Sequence, residues 1–365
     1  MKIIKRVVFA LIPLLLIALL VFLGKDYVDQ IQKDGWKDMS FNQMISYTTE
    51  EDENVCITVG IIQSGSADYV VSYGQRAQVL EQVPHTYELG QLTETFTGAM
   101  VCKAASEGKL SLDDPIGNYL ALPSDAHNPT IAQLLTHTAG YEETYFTKSI
   151  LVGEAKSGNP YSGVSCADIL NEACGSSLEN ESYPYQHSAF GMALLGQVVG
   201  KVYHADYGQL MGPFLHGSLG LAGSGMSDGT ADLGKAWTWQ GSEGFLPAMG
   251  AASNMNDMLQ YGHMLLTGNP EYLGMARSLF QEETDSAEAE EELDLFVDGM
   301  GAGWRYDASH DAWWCAGETD HYSSYMAVSP SSGIAIVILS NQAEGQGIPA
   351  KYLGGQLLTE MNPNL

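Results

Sequence analysis

A side-chain hydroxyl becomes a nucleophile when a base sits about one helical turn away, and the stretch YELGQLTETFTGAM, Tyr87 to Met100, shows how far this chain is from that arrangement. Thr93 is followed three residues on by Phe96, Thr95 is followed four residues on by Ala99, and the stretch holds no Ser-x-x-Lys pair. It offers instead a carboxamide, Gln91, and a carboxylate, Glu94. A carboxamide is not a practical nucleophile. Five cysteines (Cys56, Cys102, Cys166, Cys174, Cys315) occur without a Cys-x-x-Cys pair or a metal-finger spacing, so neither a disulfide framework nor a zinc module is legible. Cys166 and Cys174 lie eight apart in the helical pattern SCADILNEAC, where about 12 Å of rise separates them and opposes a mutual bridge. The acidic run EETDSAEAEEELD, Glu282 to Asp294, lacks the oxygen spacing and glycine of a calcium loop and reads as a solvated loop or helix face.

The elements that must position these groups follow from periodicity. NVCITVGIIQ and DYVVSYGQ alternate and are rich in β-branched residues, with SGSA between them, which predicts a hairpin. Helical patterns follow in TETFTGAMVCKAASEG, TIAQLLTHTAG, SCADILNEACG, AFGMALLGQVVGKVY and NMNDMLQYGHMLLTG, most of them closing on glycine. Strand patterns return in WRYDA, WWCAG, YSSYMAVSP and GIAIVILSN before a final amphipathic helix. Strands at both ends around a helical middle predict an α+β fold: one antiparallel sheet formed by both termini, flanked by helices, with an inserted all-helical lobe over roughly 105–250. The hydrophobic fraction of 45% is ample for a packed core in a chain of 365 residues.

Charge excludes one class of partner. The net charge is −28, and because the first forty residues hold six Lys/Arg and four Asp/Glu, the rest carries ten basic against forty acidic side chains. Such a body repels phosphate backbones and anionic lipid headgroups, so nucleic acid is excluded as a partner. The N-terminal MKIIKR is followed by the apolar run Val7–Leu23, whose helical length of about 25 Å lies at the short end of what crosses a bilayer. Lys2, Lys5 and Arg6 predict a cytoplasmic N-terminus. Bulky Phe22 before the one plausible cut after Gly24 favours an uncleaved anchor over a cleaved signal peptide. The expected organisation is an anchor over 1–24, a polar tether over 25–52 and a folded domain over 53–365, on the outer side of a cell membrane.

Eight segments in order then resemble one family, the serine β-lactamases and penicillin-binding DD-peptidases, in their class C-like branch. They are YELGQLTETFTGAM, EGKLSLDDPIGNYL, TIAQLLTHTAGY, FGMALLGQVVGKV, GSLGLAGSGMS, PAMGAASNMNDMLQY, GAGW and GETDHYSSYMAVSPSSGIAIVILSN. The resemblance runs from about Val55 to the end and implies the β-lactamase/transpeptidase-like fold and a bacterial cell-wall setting. It also implies three motifs, each of which has lost its reactive groups. At the Ser-x-x-Lys positions stand Gln91 and Glu94. At the Tyr-x-Asn positions stand His187-Ser188-Ala189, or in a second register Tyr185-Gln186-His187. At the Lys-Thr-Gly positions, where a cation receives substrate and the backbone lends an oxyanion N–H, stand Cys315-Ala316-Gly317.

By resemblance, then, the pocket is built from Gln91, Glu94, His187, Ala189, Cys315 and Gly317, with no competent catalytic group, no cofactor and no metal. The leading expectation is a pseudoenzyme whose groove binds a neutral or cationic ligand or a protein partner, because Glu94 turns attraction for a carboxylate into repulsion. One alternative is a hydrolase rebuilt on Cys315, His187 and Glu94, a set that also suits a Cys-His nucleophile or a small metal site if the three converge. Another is a surface interaction module using the acidic run 282–294. His137 in LLTHTAG reads as a framework residue at a helix end. Of Trp313-Trp314, one is expected in the core and the other beside the groove.

Overall fold

The computed structural model describes residues 33–361 apart from 34, 147–157, 180, 240–243, 279, 283–292, 294 and 344. The apolar run Val7–Leu23 and nearly all of the acidic run fall outside the described residues. Among those described, no helix is long and apolar enough to cross a membrane.

The strands are β1 Ile57–Gln63, β2 Tyr69–Gly74, β3 Gln78–Val79, β4 Tyr87–Glu88, β5 Gly225–Met226, β6 Ala251–Ser253, β7 Gln281–Glu282, β8 Gly299–Met300, β9 Arg305–Asp307, β10 Ala312–Glu318, β11 Ser323–Ser329 and β12 Ile334–Ser340. Nine of them form one sheet in the order β3-β2-β1-β12-β11-β10-β9-β8-β7. β1 and β2 make the expected hairpin, with Val59 opposite Val71. The two ends of the domain meet where β1 runs antiparallel to β12, Ile57 opposite Ser340. Alternation along β12 sends Ala335, Val337 and Leu339 into one core and Ile336 and Ile338 into another, so the sheet is covered on both faces.

The helices are α1 Phe41–Thr48, α2 Thr93–Ser106, α3 Ile131–Leu135, α4 Cys166–Cys174, α5 Ala189–Tyr203, α6 Tyr207–Pro213, α7 Leu246–Met249, α8 Met255–Thr267, α9 Glu271–Ala276 and α10 Ala350–Met361. α2 is buried on nearly every side from Thr93 to Cys102, which explains its lack of a polar face and makes it the axle of the helical side. A small sheet in the order β4-β6-β5 ties the approach to α2 to the far end of the helical lobe.

The segment expected as a polar tether departs from that reading over its described part. Ser40 and Gln43 form a reciprocal capping box at the start of α1, whose Phe41, Met44, Ile45 and Thr48 are buried. The Phe41 N–H donates to Glu360 Oε1 at 2.7 Å, and Trp36 lies 5.5 Å from Tyr352, so α1 is docked on α10. The folded body therefore begins before residue 53.

Candidate functional site

The turn ahead of α2 presses its backbone against β10. Gly90 is in the left-handed region (φ 52), where a Cβ would stand 2.3 Å from Glu318 N. A Cβ on Gly317 would stand 2.0 Å from Leu89 O and 2.5 Å from Gln91 N. Glycine at both positions is what lets the two backbones touch. At this contact the Gln91 side chain bends over the strand, and Glu318 N–H donates to Gln91 Oε1 at 2.8 Å. The carboxamide thus satisfies a backbone donor one residue beyond the third motif and leaves its own Nε2–H groups for the cavity that Gln91 lines.

One helical turn on, Glu94 is fully buried and meets His187, whose Nε2 lies 3.0 and 3.2 Å from its two carboxylate oxygens. His187 Nδ1 lies 2.6 Å from Glu143 Oε2. Burial alone would push the His187 imidazole toward neutrality, but the charges of Glu94 and Glu143 outweigh it and hold its pKa well above the usual range. Burial likewise pushes Glu94 up, and the positive charge of His187 with the proximity of His137 reverses this, holding the carboxyl at about 2. The result is an imidazolium donating from both nitrogens to two carboxylates. Ser188 caps α5 through its hydroxyl, and Ala189 N–H donates to Glu143 Oε2 at 3.3 Å.

His137 completes the cluster, on a left-handed backbone (φ 56) and with its ring 4.7 Å from that of His187. Burial holds it below its usual pKa, so it is neutral. Ser188 N–H donates to His137 Nδ1 at 3.2 Å, which puts the ring proton on Nε2, 3.5 Å from Glu94 Oε2. Glu94, His137 and His187 offer ligand atoms all within 4.8 Å of one another, a spacing that suits a metal ion. The protons do not suit it: His137 Nε2 could accept a metal only by moving its proton to the nitrogen that already faces a backbone N–H.

Gln91, His187, Gly317 and Glu318 line a cavity of about 260 Å³ together with Arg305, Trp314 and Lys351. Glu94, Ala189 and Cys315 are fully buried and are not part of its lining. The expected meeting of Glu94, His187 and Cys315 in one cavity is therefore realised only by the contact of the first two. The Cys315 sulfur lies 3.7 Å from Gln91 O and 3.7 Å from Arg305 Nη1. The expected repulsion of carboxylate ligands also changes, because it required Glu94 to face the cavity. Its charge is buried and matched by His187, and Arg305, Lys351 and Glu318 are the other charged side chains of the lining among the described residues. Trp313 packs on Tyr306 in the core at 4.8 Å, while Trp314 stacks with Tyr325 at 6.2 Å and reaches the cavity.

Sequence reasoning missed Glu143, Arg305 and Lys351 and gave His137 no part in the cluster. Arg305 and Lys351 carried a usable signal, as two of only ten basic residues beyond position 40. Glu143 carried none, being one acid among many.

A family model described as beta-lactamase matches residues 41–356. Among curated relatives, a probable fimbrial assembly protein FimD, serogroup H1, of Dichelobacter nodosus is 28% identical over 138 residues, which is 37% of this chain and 34% of that protein. A beta-lactamase of Pseudomonas fluorescens is 37% identical over 90 residues, 23% of this chain and 25% of that protein. The chain thus matches only a quarter to a third of the length of these relatives. Among solved structures, the octameric penicillin-binding protein homologue from Pyrococcus abyssi superposes with a TM-score of 0.67 at 18% identity, covering 93% of this chain and 77% of that one. A class C beta lactamase from Rhodobacter sphaeroides gives 0.63 at 17% identity, covering 84% and 94%. A D-stereospecific amidohydrolase from Streptomyces gives 0.66 at 17% identity, covering 89% and 98%. At these identities the likeness is one of fold, and the fold is the β-lactamase/transpeptidase-like α+β architecture expected from the sequence.

Proposed function

The chain belongs to the beta-lactamase family, and we propose that it is a non-catalytic member, a recognition protein that keeps the groove and has exchanged its acyl-transfer chemistry for a fixed ion pair. The observation that carries this reading is the placement of Glu94 and His187: an anion and a cation 3.0 Å apart where the family motifs call for a Lys and a Tyr. Gln91 at the nucleophile position supports it, since a carboxamide is not a practical nucleophile and its carbonyl is already held by the Glu318 N–H. Residues of such a catalytic group act as a unit, and their loss costs on the order of 10⁶ in turnover.

The alternative of a rebuilt hydrolase finds less support. Both nitrogens of His187 face carboxylates, so neither is turned to a ligand as a general base. The apolar run Val7–Leu23 supports an anchored, extracytoplasmic placement for the domain, and carbonate extraction of membranes with protease accessibility of the domain in intact cells is its test.

The test of the non-catalytic reading exposes the full chain to a fluorescent penicillin and a chromogenic ester. The parent is expected to form no covalent adduct and release no product. The triple variant Gln91→Ser, Glu94→Lys, His187→Tyr is expected to acquire a detectable adduct. An adduct on the parent chain would end the proposal.

A further inference from the structure

The small sheet has an open side away from the Gln91 cavity. β5 stands at its end, and a second cavity of about 560 Å³ lies over it, sharing no lining residue with the first. Gly223, Gly225 and Ala252 belong to its lining, and a Cβ added at Gly225 would meet no atom within 4 Å. The sheet is uncovered at that point. Its backbone is open as well, because Ser227 N–H donates to Gly250 O at 2.7 Å, toward β6, and alternation turns the N–H and C=O of Met226 the other way. Ser224, the preceding residue with that orientation, has its carbonyl capped by His216 Nε2 at 2.8 Å. Met226, which lines the cavity, has no such cap among the described residues.

The rim says what would cover this face. Asp228 and Asp232 line the cavity, and the described residues of the lining include no lysine or arginine. Asp232 is matched on one side, its Oδ2 lying 2.7 Å from His85 Nδ1. Asp228 accepts from the hydroxyl and the N–H of Thr230 at 2.5 and 2.8 Å, which holds its carboxyl below the ordinary pKa, and it forms no ion pair among the described residues. Its charge is left for a partner. A second copy of this chain fits poorly, since two such rims brought together set carboxylate against carboxylate. A strand carrying lysine or arginine brings the opposite charge to the same place.

We infer that this face docks an extended, basic segment of a partner protein, which adds to the edge of β5 through the backbone of Met226 and sets a lysine or arginine against Asp228. Alternate side chains of the added strand lie over Gly225 and Ala252, where a missing and a short side chain leave room. The inference does not rest on the reading of Gln91 and Glu94.

The test uses the full chain in a neutral maltoside detergent and the end-blocked, fluorescent peptide Lys-Val-Lys-Val-Lys-Val, with binding read by anisotropy. This peptide is expected to bind at least about tenfold more tightly than its counterpart with glutamine in place of lysine, and to slow amide exchange at Met226. Gly225→Leu fills the floor without changing charge and is expected to weaken binding about tenfold, with the unliganded unfolding midpoint unchanged. Asp228→Asn, whose Oδ1 can still accept from Thr230, is expected to lose about as much. Glu50→Gln/Glu51→Gln, which removes two exposed charges elsewhere, is expected to bind like the parent. Equal binding of the two peptides, a Gly225→Leu chain that binds like the parent, or an equal loss in the Glu50→Gln/Glu51→Gln chain would overturn the inference. Spermidine binding as tightly as the peptide would overturn the strand pairing, and self-association abolished by Gly225→Leu would give the face to a second copy instead. If Gly225→Leu does not fold, Asp228→Asn and the Met226 amide decide the matter.

Discussion

Glu94 and His187 form a charge-exchanged version of the pair the family motifs call for, and the exchange fixes how stability responds to pH. Glu94 falls from its ordinary 4.5 to about 2 in the folded protein, so its contribution is complete above pH 4.5 and is lost as pH drops toward 2. His187 is raised, so its contribution is complete below its unfolded value near 6.5 and is lost as pH climbs through the higher folded value. Both are fully present only between about pH 4.5 and 6.5. The difference in unfolding free energy between the parent and Glu94→Gln/His187→Gln is expected to peak in that window and to shrink by about 3 kcal/mol on the acid side. Urea titrations from pH 2 to 9 measure it, and a difference flat in pH would show that the two groups are not paired. The same pair explains why restoring only the amine fails. Glu94→Lys would set an ammonium about 3 Å from the imidazolium, a repulsion on the order of 5 kcal/mol at an effective dielectric near 20. Glu94→Lys alone is expected to lower the urea midpoint sharply, with His187→Tyr recovering most of the loss.

The site's walls are set by how closely elements approach, and this scale divides what the sequence discloses from what it hides. Gly317 is the clearest case: its missing Cβ lets β10 lie against the Leu89–Gln91 backbone, which cannot rotate away as a side chain could. Gly317→Ala is expected to cost about 1–3 kcal/mol and to break the Glu318 to Gln91 hydrogen bond, visible as faster amide exchange at Glu318. Gly317→Ala with parental stability would show that the two backbones are not in contact. The long strands β1, β10, β11 and β12 were legible because five or more alternating residues make a period, and β9 was read in WRYDA, whereas β7 and β8 have two residues each and no period to read. α1 had a signal that its polar neighbours masked. Phe41, Met44, Ile45 and Thr48 fall at i, i+3, i+4 and i+7, and Ser40 with Gln43 spells a capping box. Gln91 and Glu94 were legible from their place in one segment, but Glu143, which faces the second nitrogen of His187, is brought in by tertiary folding alone. Removing the apolar anchor of α1 by Phe41→Ala is expected to cost about 3 kcal/mol, read as a lower thermal midpoint with α10 amides losing protection from exchange. Unchanged α10 protection would argue that α1 is not docked.

At the scale of the whole molecule self-repulsion prevails among the surface charges, since forty acidic side chains beyond residue 40 face only ten basic ones. Repulsion among exposed charges is long-ranged and screened, with a Debye length near 30 Å at 0.01 M salt and about 3 Å at 1 M. The Glu94 carboxylate of the pair is fully buried and shielded from counter-ions, with only its partner His187 reaching the cavity. Raising sodium chloride from about 0.01 M to about 0.5 M is therefore expected to raise the thermal midpoint of the parent by several degrees. The same rise is expected in Glu94→Gln/His187→Gln, because that double change leaves the net charge of the body unaltered once the carboxylate and the imidazolium are removed together. Scanning calorimetry of the two proteins across the salt series checks both halves. A midpoint that falls with salt would mean that attractive surface pairs outweigh the acidic excess. A rise confined to the variant would mean that the ion pair is itself screened, and so open to solvent, contrary to the full burial of Glu94 on which the non-catalytic reading depends.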